Sequence, residues 1–183
     1  MAPGKVMRWD EAARRLPADR DTIAAEVGVW QGKMSARLLE LRPRLTLILV
    51  DLWQAGQPGQ SWFESGSQMA RQSQRVVDQA YAGVQAIAAR YAPRVRIIRA
   101  YSTAAAAELA DRSLDLVFLD ADHSQLAVQA DVLAWRPKVK PGGVIGGHDY
   151  GSERFPGVKS AVLAVFRPSE IEEGANKTWW ARP

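Results

Sequence analysis

Two short runs constrain this chain more than anything else in it: LTLILVD at 45–51 and LDLVFLD at 114–120. Each is apolar at nearly every position, and each ends in an acid. A run that is apolar on both sides is buried on both sides, and strands buried in that way belong to parallel sheets covered by helices. Runs of the same kind at 22–29, 94–100 and 142–149 bring the set to five. Helical patterns fill the gaps between them: KMSARLLELR, SQMARQSQRVVDQAYAGVQAIAARY, TAAAAELAD and SQLAVQADVLAWRPKV. This alternation predicts an α/β chain with a doubly wound, mostly parallel, Rossmann-like sheet whose ligands sit beyond the carboxyl ends of the strands. After a helix near GVKSAVLAVF, the segment IEEGANKTWWARP has two strand-like pieces around Gly174 and Asn176. They predict a closing antiparallel hairpin and a seven-stranded sheet.

With 183 residues, 47% of them apolar, the chain can bury one full core and reads as a single domain over 1–183. It has no cysteine, which excludes disulfides, thiolate chemistry and Cys-based zinc sites and leaves the carboxylates with two histidines, His123 and His148. Lack of cysteine also fits a reducing cytoplasm. No segment approaches the ~18 apolar residues of a membrane span, and MAPGKVMRWDEAARRL has no apolar signal core, so a cytoplasmic protein with no membrane partner is expected. The net charge of +4 is scattered rather than gathered into a basic patch with aromatics, which argues against nucleic acid as a partner. The stretch QAGQPGQSWFESGSQ, residues 54–68, reads as a long loop of the kind that tends to carry function.

The first strand-to-helix turn, EVGVWQGK, places Gly28 and Gly32 four apart. A dinucleotide fold wants G-x-G-x-x-G there, with the second glycine admitting a pyrophosphate to the backbone. Trp30 fills that slot, and Glu26 stands two residues before Gly28. An indole and a carboxylate make a poor phosphate cradle but suit a ligand bearing an ammonium group. Asp51 lies 23 residues beyond Gly28, near the offset at which an acid takes a ribose diol. The pair fits a ligand with an amino-acid head and a ribose but no phosphate, and S-adenosylmethionine has that shape. Each acid alone also reads as an ordinary polar strand end.

The stretches AEVGVWQGK, LVDLW, FLDADHS and KPGGVIGGHDY together resemble a class I S-adenosylmethionine-dependent methyltransferase, from about residue 20 to the end. Among these enzymes they are most similar to the bacterial branch akin to the metal-dependent small-molecule O-methyltransferases. The resemblance implies that Glu26, Gly28 and Gly32 line the methionine part of the cofactor, that Asp51 takes the ribose, and that Ser102 stands beside the adenine. It also implies that Trp30 and Trp53 flank the cofactor, although core packing explains a tryptophan at least as often.

Asp120 ends the fourth strand, and His148 and Asp149 end the fifth, 28 and 29 positions later. If those strands are neighbours, the three side chains converge on one point. Converging oxygens suit a divalent cation such as Mg²⁺ or Mn²⁺. His148 departs from the acid that the resembled enzymes carry, and it favours manganese, zinc or iron over magnesium. Asp120 reads equally as a helix cap or a residue holding the cofactor's methionine end, and Asp122 as an N-cap acid. His123, three residues past Asp120, stands where those enzymes often carry a basic residue that removes the substrate's proton, with Asp122 as the alternative base and a surface imidazole as the plain reading.

The expected activity is therefore methyl transfer to a hydroxyl of a small molecule. A metal-independent N- or O-methyltransferase and a non-catalytic S-adenosylmethionine-binding protein remain as alternatives. About twenty residues precede the first strand, enough for one covering helix around MRWDEAARRL, so a homodimer partner that completes the site also stays open.

Overall fold

The doubly apolar runs become strands with helices on both sides. A computed structural model describes residues 5–64 and 67–183. Strands β1 (Thr22–Val27), β2 (Leu45–Asp51), β3 (Val95–Arg99), β4 (Leu114–Leu119) and β5 (Val139–Gly147) lie parallel to one another. Strands β6 (Ile171–Glu173) and β7 (Trp179–Ala181) form the expected antiparallel hairpin, with β7 paired to β5. The order across the sheet is β3-β2-β1-β4-β5-β7-β6. The chain therefore winds one way from β1 to β3 and the other way from β4 onward. The crevice at the carboxyl ends of β1 and β4 is where such a fold holds its ligands.

Seven α-helices are described: α1 (Arg8–Arg15), α2 (Lys33–Leu41), α3 (Ser61–Glu64), α4 (Gln74–Arg90), α5 (Ser102–Ala107), α6 (Gln125–Trp135) and α7 (Pro156–Leu163). Alternate residues of each strand point to opposite faces. Ile48, Val50, Val117 and Leu119 pack against Ala105 of α5, Val128 and Val132 of α6, and Val158 and Val162 of α7. Leu47, Leu49, Leu116 and Phe118 pack against Ala12 and Ala13 of α1, Met34 and Leu38 of α2, and Val77 and Val84 of α4. Helix α1 is thus seated by its own apolar stripe, and the Asp10 carboxylate accepts the Met7 N–H at 2.9 Å to start it.

Several boundaries differ from the sequence reading: β5 starts at Val139 rather than 142, β1 ends at Val27, and the helix expected to run to 139 ends at Trp135. The helix expected from residue 67 begins at Gln74, with Ser73 as its N-cap residue. The Ala70 carbonyl accepts from the Gly56 N–H at 2.9 Å instead of continuing a helical ladder, which ties this segment to the preceding loop. Within the expected 54–68 loop, Ser61–Glu64 forms the short α3, and residues 65 and 66 lie outside the described residues. None of the described helices is long and apolar enough to cross a membrane.

Candidate active site

The site is built on the ends of β1, β2, β4 and β5. Glu26 pairs in register with Leu49 on one side and Phe118 on the other, so Glu26, Asp51 and Asp120, two residues beyond those partners, share the sheet face covered by α1 and α2. Glu26 is buried, and its Oε2 accepts the Ser35 hydroxyl of α2 at 2.6 Å. Burial pushes its carboxyl up to about 8, against the smaller pull of Ser35 and of the Arg8 charge. Gly28 runs with φ 89° directly against β4, where a Cβ would collide with the Asp120 carbonyl. The glycine is required by that approach as much as by its left-handed backbone.

Asp51 organises two turns. Its Oδ2 accepts the Trp30 N–H at 2.8 Å and its Oδ1 the Trp53 N–H at 3.0 Å. Both tryptophans adopt left-handed backbone, φ 53° and 43°, which is rare for a bulky residue. The Trp53 indole N–H donates to the Trp30 carbonyl at 2.9 Å, tying one turn to the other. Trp30 is half-buried at the crevice, whereas the Trp53 ring is 1% exposed against Tyr81 and belongs to the core. Gly32 caps the start of α2. Ser102 opens α5, and its hydroxyl accepts the Trp135 indole N–H at 2.9 Å, with the buried Asp131 carboxyl beside it.

Asp120, His123, His148 and Asp149 come together as one cluster. His123 Nε2 stands 3.1 Å from Asp149 Oδ2 and 3.5 Å from Asp120 Oδ1. His148 Nδ1 stands 3.2 Å and 3.6 Å from the same two oxygens. Burial disfavours charge on both imidazoles, but the two carboxylates outweigh it and raise each to about 9. Burial likewise opposes ionisation of the acids, yet the imidazoles hold Asp149 well below the usual carboxylate range, and with Arg8 they hold Asp120 below it too. Asp149 itself has a left-handed φ of 58°.

His123 is the deeper imidazole, with 11% of its side chain exposed against 18% for His148. It stacks on Phe155, ring centroids 4.1 Å apart and planes 22° from parallel. The reading of His123 as a plain surface group is therefore overturned. Neither of its buried ring nitrogens has a hydrogen bond of proper geometry among the described residues. Buried nitrogens without a well-formed hydrogen bond, facing two acids, are compatible with a cation, and ligand atoms of Asp120, His123 and Asp149 all lie within 4.8 Å of one another. A divalent cation fits this donor set, in which His123 stands where the sequence reading put His148.

Asp122 stands apart from that cluster. Its Oδ1 accepts the Ser124 N–H at 2.7 Å at the start of α6, and its Oδ2 accepts the Ser61 hydroxyl of α3 at 2.6 Å. It closes a turn just before α6, whose N-cap residue is Ser124 rather than Asp122, and tethers α3. Three residues at the site carry no signal of their own in the sequence: Arg8, whose Nη1 lies 2.8 Å from Asp120 Oδ2, Ser35 and Phe155. A larger concavity of about 730 Å³ lies between α1 and the β6–β7 hairpin. Arg15 there is paired to both Glu11 and Glu172, and the concavity lies away from the ends of β1, β2 and β4.

A fold reversed at β1 and β4, with acids at the strand ends, is the arrangement that the resemblance to class I S-adenosylmethionine-dependent methyltransferases leads one to expect. The family model described as methyltransferase domain matches residues 25–150, and the chain belongs to that family. No curated protein matches it by sequence. Among solved structures, the calicheamicin methyltransferase CalS11 is similar over 94% of this chain and 76% of its own, with TM-score 0.70 and 15% identity. The O-methyltransferase NovP is similar over 96% and 78%, with TM-score 0.66 and 15% identity. A Staphylococcus aureus protein assigned as a caffeoyl-CoA O-methyltransferase is similar over 97% and 85%, with TM-score 0.65 and 12% identity.

Proposed function

We propose that this chain methylates a hydroxyl of a small molecule, using S-adenosylmethionine held at the ends of β1 and β2. The convergence of two carboxylates and two imidazoles at the ends of β4 and β5 carries this reading. Glu26 would receive the ammonium group of the cofactor and Asp51 its ribose hydroxyls, with Gly28, Trp30 and Gly32 shaping the turn and Ser102 near the adenine. S-adenosylmethionine supplies an electrophilic methyl group on a sulfonium, so most of the intrinsic reactivity is the cofactor's.

The chain's own tasks are to align the acceptor oxygen and to take its proton. Asp120, His123 and Asp149 would hold a divalent cation such as Mn²⁺ or Mg²⁺, whose contribution is to orient and acidify a hydroxyl. His148, on the more open side of the same acids, would take the proton once a cation on Asp120 and Asp149 relieves the pull that otherwise raises it to about 9. These roles exchange the two histidines relative to the sequence reading, because His123 is the one locked beneath Phe155 with neither nitrogen in a well-formed hydrogen bond. Asp122, fully engaged by Ser61 and Ser124, is replaced as a base.

A second reading rests on the charge balance. Arg8 and the two imidazoles already face every oxygen that the acids turn inward. On that reading the site works without metal, and the proton goes to the fraction of imidazole that has lost its own, so turnover should climb as pH approaches 9. Hydroxyl acceptors fit the neighbours' descriptions, one of which is a TDP-rhamnose 3′-O-methyltransferase. Calorimetric titration with S-adenosylhomocysteine and with NADH, each with and without Mn²⁺, tests the proposal. S-adenosylhomocysteine should bind and NADH should not; NADH binding as tight or tighter would overturn the cofactor assignment.

A further inference from the structure

On the reading that the strand ends hold S-adenosylmethionine, its amino-acid head brings a carboxylate as well as an ammonium group. The acids of the site can receive only the ammonium. We propose that Arg8 of α1 receives the cofactor's carboxylate, so that Glu26 and Arg8 together read the zwitterionic head.

The placement follows from the sheet. The Asp120 N–H donates to the Val27 carbonyl at 2.7 Å, which fixes the end of β4 beside the end of β1. Asp120 and Glu26 point to the same face, and α1 covers that face. Arg8 Nη1 reaches Asp120 Oδ2 at 2.8 Å, so its guanidinium stands over the β1–β4 crevice within range of the buried Glu26 carboxyl. The two oxygens of Asp120 are divided, Oδ2 toward Arg8 and Oδ1 toward the imidazoles. The arginine and a cation at the imidazoles can coexist on the same residue.

The guanidinium is both held and available. Ala12, Ala13 and Leu16 are buried and seat α1 on the fold, and Arg15 lies over the Trp180 ring at 4.3 Å. This anchoring fixes where the Arg8 side chain starts. With 30% of that side chain exposed, a ligand can reach it. A guanidinium has five N–H donors in a planar fork matched to a carboxylate, and the bond to Asp120 uses one of them. Asp120 then holds the guanidinium close enough for its charge to be felt at Glu26, with the remaining donors free for a ligand.

The test compares two ligands by calorimetry: S-adenosylmethionine and its decarboxylated analogue, which keeps the amine and lacks the carboxylate. Wild-type protein should prefer S-adenosylmethionine by roughly tenfold or more, as a charge-assisted bidentate contact warrants. Arg8→Met should bind the two ligands alike, within about threefold, because only the carboxylate-bearing one loses a partner. If Arg8→Met does not fold, Arg8→Gln, which keeps a donor for Asp120, gives the same comparison. Glu26→Gln should weaken both ligands together and leave their ratio unchanged. Wild-type preference retained in the folded Arg8 variants would overturn this inference and leave the cofactor reading standing. Failure of wild-type protein to bind either ligand would overturn both.

Discussion

Ser35 Oγ donates to Glu26 Oε2 at 2.6 Å, a single hydroxyl set against the burial of a whole carboxyl group. Burial prevails and raises the group from 4.5 to about 8, so at neutral pH Glu26 keeps its proton while the crevice is empty. Receiving an ammonium group requires the ionised form. Affinity for S-adenosylhomocysteine should therefore rise as pH goes from 6 to 8, with proton release visible as a buffer-dependent binding enthalpy. The folded chain also keeps a proton that the unfolded chain loses between pH 4.5 and about 8, so this group's contribution to stability falls across that interval. Glu26→Gln should flatten that slope and remove the pH dependence of binding. Wild-type affinity that stays level from pH 6 to 8 would refute the assignment.

Asp51 is expected to serve the fold as well as the ligand. Replacing it with alanine leaves the Trp30 and Trp53 amides without their acceptor in two strained turns. Urea denaturation should show a loss of about 1.5 to 3 kcal/mol, the usual worth of hydrogen bonds to a charged group. Asp51→Asn, which keeps one carbonyl acceptor, should lose less stability while still weakening cofactor binding by roughly tenfold. A fully stable Asp51→Ala variant would show that the turns hold themselves.

The acid and imidazole cluster divides by function under substitution. Asp149→Asn and His123→Ala should abolish any Mn²⁺ stimulation of methyl transfer and remove Mn²⁺ binding measured by calorimetry. His148→Ala should keep Mn²⁺ binding and slow turnover by about 10² to 10⁴, the range of a positioned general base. Activity that is unaffected by chelation in wild-type protein selects the metal-free reading instead.

Phe155 fixes the plane of the His123 ring, neither of whose nitrogens has a well-formed hydrogen bond. Phe155→Ala should cost about 0.5 to 1.5 kcal/mol of stability from the lost ring pair. It should also lower kcat by roughly tenfold with S-adenosylhomocysteine affinity unchanged, about 1.4 kcal/mol of barrier. Phe155→Tyr, which restores the ring, should recover turnover. An equal fall in affinity for S-adenosylhomocysteine would point to a general collapse of the crevice rather than a loosened imidazole.

The sheet was legible because burial on both faces leaves an unmistakable apolar run, and all five parallel strands and the closing hairpin lie where such runs or turn residues predicted them. The strand-end acids stood out in the sequence only by position, since a charge after LDLVFL or LTLILV also reads as an ordinary polar strand end, and it is the packing of neighbouring strands that brings them together. The tryptophans were not separable by sequence. Trp30 and Trp53 share a backbone conformation, but tertiary packing sends one ring to the crevice and the other beneath Tyr81. Arg8 lies 112 positions from Asp120 on an ordinary amphipathic helix, and only the docking of α1 brings them together. Ser67 and Ser73 bracketed the false start of α4, because serine competes with helical backbone and suits turns and caps.

The strand that carries His148 is also locked to the hairpin by size. Gly146 pairs with Trp180, and any side chain at Gly146 would run into that indole and the Trp179 carbonyl. Trp180 in turn packs on Phe118 and carries Arg15 on its other face. Shrinking Trp180 alone would not admit a larger residue at 146, because the Trp179 carbonyl also stands in the way, so Gly146 and the hairpin backbone are fixed together. Losing the Trp180 ring would also free the arginine that seats α1. A lineage that alters this hairpin must reshape both walls of its crevice in the same stretch of its history.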